Sequence, residues 1–303
     1  MAKHPDHSDR RDREATKKKH TAKDFFKDVA FVLVSFFFLN SFVLASFEVP
    51  TGSMENEIMA GDFLFVNKFI YGGTTPRTIP FTNVRLPWFR LPAFQDVERG
   101  DVIVFEFPGN RDEARSEEFV FYLKRAVALA GDSVQVIDRV LYVNGTPAPL
   151  PRNLKADTES PVKPAGMREY KIFPRGSSFN EDNWGPMVVP FKGQVIELTP
   201  DNLEQWQTFI EREGHTARLD ARGNVLVDGV QTSSYTVERD YLFGLGDNRG
   251  NSLDGRFWGF IPADNIVGTP MIVYWSWDPN IPLSNLVAKL GSIRLGRLGT
   301  IIR

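Results

Sequence analysis

Ser53 stands where a serine could do chemistry. It lies in the turn Pro50-Thr51-Gly52-Ser53-Met54, just after an apolar run over residues 29–47. A serine hydroxyl becomes a nucleophile only when a neighbouring base takes its proton. Histidine, the usual base, is scarce: His4, His7 and His20 precede the apolar run and only His215 comes after it. Lysine is the alternative, provided that burial lowers its pKa from near 10.4 toward about 7–8. Seven lysines lie beyond the apolar run, and Lys124 is the one set in the longest apolar strand pattern, Phe119-Val120-Phe121-Tyr122-Leu123-Lys124-Arg125-Ala126-Val127. Alternation along a strand puts Lys124 on one face with Tyr122 and Ala126 and turns Arg125 to the other. A serine at a membrane surface with a buried lysine has the make-up of a Ser/Lys hydrolase.

Each part also has a plainer reading. Pro-Thr-Gly-Ser is ordinary turn chemistry, and Lys124 could sit at a strand edge with its amine in solvent. The stretch Gly246-Asp247-Asn248-Arg249-Gly250-Asn251-Ser252-Leu253-Asp254-Gly255-Arg256 is either a polar loop or a buried platform. In a platform its Asp and Arg side chains would have to pair. Other nucleophile schemes fit less well. There is no Gly-x-Ser-x-Gly elbow, and a Ser-His-Asp triad would have to use His215. Ser160-Pro161-Val162-Lys163 carries a proline inside and another after it, against the helix that a Ser-x-x-Lys motif needs.

The apolar run is long enough to position the serine at a bilayer. As a helix its 19 residues would span roughly 28 Å, close to the ~30 Å hydrocarbon core. Lys17, Lys18, Lys19, Lys23 and Lys27 precede it, which keeps the N-terminus in the cytoplasm and places the chain beyond residue 47 outside. A cleavable signal peptide competes, with Val43-Leu44-Ala45 imitating a cleavage site. The length of the run and the acids before it favour a retained anchor.

Past the anchor the chain reads as mainly β. Short apolar runs recur between turn signals at 63–66, 102–105, 119–129, 134–137, 140–143, 225–227, 241–243 and 272–275, and helical periodicity is confined to 202–212. The organisation expected is a charged tail over 1–24, an anchor over 25–47, and an antiparallel β core built from 48–132 and 239–303. A less apolar β-rich region over 133–238 interrupts that core as a non-catalytic insertion. The Pro-punctuated aromatic loop over 79–94 suits either local packing or contact with a membrane interface, where Trp and Arg are favoured.

Composition narrows the chemistry. The chain has 303 residues, 42% of them hydrophobic and 24% charged, and a net charge of −2, which argues against nucleic acid as a main partner. Residues 1–28 hold nine Lys/Arg against six Asp/Glu. Cysteine is absent, which excludes disulfides, thiolate nucleophiles and Cys-ligated zinc, and one histidine beyond the anchor argues against a His-based metal site.

These pieces together resemble the bacterial type I signal peptidases, or leader peptidases. The resemblance rests on the anchor, Pro50-Thr51-Gly52-Ser53-Met54, the block from Gly61-Asp62 to Asn67-Lys68, Gly100-Asp101-Val102-Ile103-Val104-Phe105, the block from Tyr122-Leu123-Lys124-Arg125 to Gly131-Asp132, and the run from Gly246 to Gly259. The blocks occur in family order over nearly the whole part after the anchor, and the ordered set is far more specific than any one of them. The resemblance implies an endopeptidase at the outer face of the bacterial cytoplasmic membrane, with a cytoplasmic N-terminus and a periplasmic catalytic part. Its partners would be the phospholipid membrane and preproteins whose signal peptides carry small residues at −1 and −3. No cofactor and no metal are implied.

By the same resemblance Ser53 attacks the scissile carbonyl and Lys124 is the general base. The Ser53 N–H and the Thr51 hydroxyl hold the oxyanion, and Ser252 orients the Lys124 amine. Asp254 and Arg256 pair behind it, with Asp247 also supporting the site. Phe47, Val49, Ile58, Tyr122 and Leu123 line shallow apolar pockets. Two departures stand out. The family usually continues after Ser-Met with a residue, Pro and Thr, where this chain has Glu55-Asn56-Glu57, and Gly250 replaces a usual Asp. Endoplasmic-reticulum relatives carry His in place of the lysine, so Lys124 points to the bacterial branch. Two alternatives remain: a soluble self-cleaving Ser/Lys repressor, against which the anchor argues, and a non-catalytic anchored β protein that binds peptides or assists secretion, against which the intact Ser53 and Lys124 argue.

Overall fold

The computed structural model describes residues 22–77 and 84–303. The tail expected over 1–24 lies almost wholly outside the described residues, as do residues 79–83 of the aromatic loop expected over 79–94.

Helix α1, Ala22–Phe42, has 21 residues, about 31 Å at 1.5 Å per residue. Asp24 in its first turn suits the positive end of the helix dipole. Its large side chains, Phe31, Val34 and Phe36 among them, are exposed. By length and composition it could cross a membrane.

The helix does not extend over the whole apolar run, which corrects the anchor boundary of 25–47. Strand β1, Leu44–Glu48, pairs antiparallel with β2, Asp62–Asn67, in register from Leu44↔Asn67 to Glu48↔Phe63. The physical reason is that apolarity does not distinguish lipid from protein core. Ala45 is buried and Ser46 is exposed, and Ser46 hydrogen-bonds Tyr274.

Residues 41–303 form one compact unit. Its main element is a seven-stranded antiparallel sheet in the order β1-β2-β16-β3-β4-β14-β15. The further strands are β3 (Val102–Glu106), β4 (Phe121–Leu129), β14 (Tyr241–Leu245), β15 (Ile261–Pro262) and β16 (Ile266–Ser276). Strand β16 holds two halves of the sheet together. Its first part pairs with β3 and its longer second part with β2, with register shifts that bend it around Pro270.

The nine strands between β4 and β14 build three smaller sheets, and none joins the large one. Strands β5 (Ser133–Ile137), β6 (Val140–Val143), β7 (Thr146–Pro147) and β8 (Trp184–Val188) form the first of these. Strands β9 (Val195–Glu197) and β13 (Ser234–Thr236) pair, and β10 (Ala217–Leu219), β11 (Val225–Val227) and β12 (Val230–Gln231) form the third. The helical period over 202–212 is α2, Leu203–Arg212. Short helices α3 (Gly255–Trp258) and α4 (Leu286–Gly291) come after β14 and β16.

Separate sheets do not mean separate cores. Trp184, fully buried, stacks on Phe243 of β14 with ring centroids 4.6 Å apart. One apolar cluster runs from Val134 and Ile210 to Ala128, Phe243 and Leu245. A second, with Val49, Met54, Ile58, Leu64 and Val273, lies under the Ser53 turn.

Candidate active site

Past β1 the chain continues its pairing with β2 for one step, through the Val49 N–H to Asp62 O bond of 2.9 Å and the Gly61 N–H to Val49 O bond of 2.8 Å. It then turns at Pro50 and coils back after Ser53. The Glu55 N–H bonds Gly52 O, and the Ile58 N–H bonds Met54 O at 2.8 Å. Met54 and Ile58 anchor this coil in the core, and Ser53 is left at its start.

The loop after β14 grips the turn from the other side. The Asn248 N–H donates to Ser53 O at 3.0 Å, and Asn248 Nδ2 donates to Gly52 O at 3.0 Å. Gly246 permits this approach. A Cβ there would stand 2.2 Å from Ser252 Oγ and 2.5 Å from Ser53 O. Sequence reasoning took Gly246 only as part of a motif; its steric task appears when two remote loops meet.

Lys124 lies in β4 opposite Ile103 of β3. The β14 ladder stops at Leu245↔Arg125, so residues 121–124 have β3 on one side and, among the described residues, no strand on the other. Lys124 is 4% exposed, and its Nζ stands 2.8 Å from Ser53 Oγ and 3.1 Å from Leu123 O. Burial lowers its pKa to about 8, because an ammonium loses hydration there; attraction from Asp254 and Asp247 opposes the shift and repulsion from Arg256 adds to it.

Behind the lysine lie two matched ion pairs. Arg125 clasps Asp247 through Nε to Oδ1 at 2.9 Å and Nη2 to Oδ2 at 2.5 Å, both side chains buried. Arg256 clasps Asp254 through Nε and Nη2, each at 2.9 Å. Burial by itself would raise the Asp254 carboxyl, but the Arg256 charge and hydrogen bonds hold it below the usual range. Asp254 also accepts the Gly246 N–H at 3.2 Å and caps α3 by accepting the Arg256 N–H at 3.2 Å.

Ser252 departs from expectation. The Lys124 amine bonds Ser53 and Leu123, not Ser252, and the buried Ser252 Oγ has no hydrogen-bond partner among the described residues. Ser252 packs against Gly246 instead.

Ser53 and Lys124 open on a cavity of about 270 Å³. Phe47, Val49, Thr51, Tyr122 and Leu123 line it, together with Leu64, Val104, Phe121 and Leu253, which sequence reasoning did not single out. Ile58 does not. It is fully buried under the turn, and its assignment to the substrate pocket is corrected to the core; apolar character was its signal, and both environments share it. His215 is remote in role. It lines no wall of this cavity and bonds Asp228 at 2.6 Å and Glu238 at 2.8 Å, which raises its pKa. No group of three or more His, Cys, Asp or Glu among the described residues is placed to hold a metal.

A mainly β body with a serine and a buried lysine in contact over an apolar cavity has the layout of a hydrolytic enzyme, and comparison with known proteins gives the class. The family described as signal peptidase, peptidase S26, matches residues 22–275. The signal peptidase I of Buchnera aphidicola subsp. Schizaphis graminum is 30% identical over 281 residues, covering 89% of this chain and 82% of its own. That of Pseudomonas aeruginosa is 30% identical over 277 residues, covering 87% and 74%, and that of Rickettsia typhi 28% over 306 residues, covering 94% and 96%. A solved signal peptidase I from Enterococcus faecalis V583 is 23% identical and covers 58% of this chain and 97% of its own, with a TM-score of 0.26, a likeness that carries no argument. The chain belongs to the signal peptidase family, peptidase S26.

Proposed function

We propose that this protein is a membrane-anchored endopeptidase that removes N-terminal signal peptides from exported preproteins, with Ser53 as nucleophile and Lys124 as general base. One observation carries the proposal: the amine of a buried lysine lies 2.8 Å from the serine hydroxyl at the wall of an apolar cavity. Once neutral, Lys124 takes the Ser53 proton as Oγ bonds to the scissile carbonyl carbon. The Ser53 N–H and the exposed Thr51 hydroxyl stabilise the oxyanion. The C–N bond breaks, the amine of the mature protein leaves with the proton from Lys124, and water then hydrolyses the acyl-enzyme with Lys124 again as base. Ser252 would orient the amine only by turning its unpartnered hydroxyl toward it, and Asp247, Asp254 and Arg256 hold the loop behind the lysine.

The open side of residues 121–124 suits an extended peptide, whose small −1 and −3 side chains would enter the pockets lined by Phe47, Val49, Tyr122 and Leu123. Helix α1 supplies a single-pass anchor, and the lysines before it favour a cytoplasmic N-terminus, which puts residues 48–303 outside the cytoplasmic membrane of a bacterium. The catalytic unit is 48–132 with 239–303, and 133–238 is a non-catalytic insertion. The test is cleavage of a preprotein in vitro by the purified full chain and by Ser53→Ala. Release of mature protein by the wild type alone is the expected result, and equal release by both overturns the proposal.

A further inference from the structure

We propose that Glu57 is a positioning residue for Ser53, which fastens the coil that carries the serine to two parts of the chain remote in sequence. The inference rests on the Ser53–Lys124 reading. Asn56 within this coil has φ of +82°, a left-handed conformation that backbone preference does not hold for a non-glycine residue. The coil must be stiffened by other means.

Glu57 is 6% exposed, and a buried carboxylate has to be matched by donors. Its Oε1 accepts the Arg303 N–H at 2.8 Å, and its Oε2 accepts from Asn153 Nδ2. Its carbonyl accepts from Arg297 Nη2 at 2.9 Å, and Arg297 also pairs with Asp62. The Glu57 N–H and the Ile58 N–H both bond Met54 O, so the carboxylate acts on the turn that begins at Ser53.

The Asn153 side continues to the loop that grips the serine. Two residues on, Lys155 donates its N–H to Asp247 O at 2.9 Å, accepts the Arg249 N–H at 3.1 Å and reaches Glu55 with its ammonium at 2.8 Å. Residues 153–155 therefore tie the serine coil and the Asn248 loop to one another. Glu57, Asn153 and Arg303 do not line the substrate cavity. Their loss should act on the placement of Ser53 and hence on kcat, and leave KM alone.

The test is a donor–acceptor swap in the full chain, read by preprotein cleavage. Asn153→Asp sets two carboxylates against one another and should lower kcat about tenfold, with KM within about twofold. Glu57→Gln combined with Asn153→Asp restores the bond with its polarity reversed, and should return kcat to within about threefold of wild type. Because the swap would also restore stability lost to the repulsion, kcat is taken per folded molecule, with the unfolding midpoint of each variant measured beside it. Wild-type kcat in Asn153→Asp, or a loss that the double variant does not restore, overturns the proposal. Ser53→Ala run beside them separates the two readings. An inactive Ser53→Ala with a fully active Asn153→Asp removes only the positioning role, while an active Ser53→Ala removes the Ser/Lys reading.

Discussion

Lys124 and Arg125 are consecutive residues of β4, both basic and both buried, yet their surroundings treat them in opposite ways. Arg125 meets a carboxylate, Asp247, over two hydrogen bonds, and gives Nη1 to Gly100 O and Arg303 O. Among the described residues Lys124 has only a hydroxyl and a carbonyl within hydrogen-bonding reach. A guanidinium keeps its charge in the working range, so its burial demands a counter-ion. An amine denied one can give up its proton instead. On the proposed mechanism, the base is made by withholding a carboxylate from one of two neighbouring cations.

The sharpest way to break that contrast is to remove the amine. Lys124→Ala should lower preprotein cleavage on the order of 10⁴-fold or more, and Lys124→Arg should fail as well, since it imports the charge that Arg125 keeps. The double variant with Ser53→Ala should be little worse than either single one. Cleavage assays on folded protein check this, and near-normal turnover by Lys124→Ala would sink the assignment.

Thr51→Val should lower kcat by about 10²–10³ with little change in KM, and Thr51→Ser should keep much of the activity. A loss under about threefold would remove the hydroxyl from the oxyanion site.

On the Arg125 side the expected effect is on stability. Asp247→Ala strands a buried guanidinium and should cost about 3–5 kcal/mol in denaturant unfolding. An unchanged midpoint would show that the pair is not needed to keep Arg125 buried.

Titration sharpens the comparison further. As the proposed base Lys124 would work only when neutral, so with its pKa lowered to about 8 the rate should rise with pH through that value. Below it, kcat/KM should fall about tenfold per pH unit. A flat profile between pH 6 and 9 contradicts a titrating lysine.

The smallest effect is expected at His215, held between Asp228 and Glu238 away from the cavity. His215→Ala should leave both the rate and the pH profile unchanged. Loss of the alkaline rise in that variant would make histidine the base.

Much of the fold was legible because its signals are local. The strands at 102–105, 134–137 and 140–143 appear within a residue of their apolar runs, and the one amphipathic stretch over 202–212 is α2. Strand β1 was not legible. Its residues are as apolar as the helix before them, and only the ladder to β2 shows that they belong to a sheet. Ile58 failed for the same reason, since an apolar residue near Ser53 can face substrate or core and its sequence neighbours do not say which.

The sequence by itself determined the inventory. It carries one serine on a Gly-containing turn after an apolar helix, one lysine inside the longest strand pattern, no cysteine and a single histidine past the helix. These restrict the chemistry because each reaction needs particular functional groups. Tertiary structure alone decided the distances and the charges. Ser53 and Lys124 are 71 positions apart, and the sheet brings their reacting atoms to 2.8 Å. Whether Lys124 or Arg125 would find a carboxylate depended on which way β4 turned each of them and on where the loop after β14 delivered Asp247. Proton affinity depends on burial and neighbouring charge, and both are properties of the packed chain.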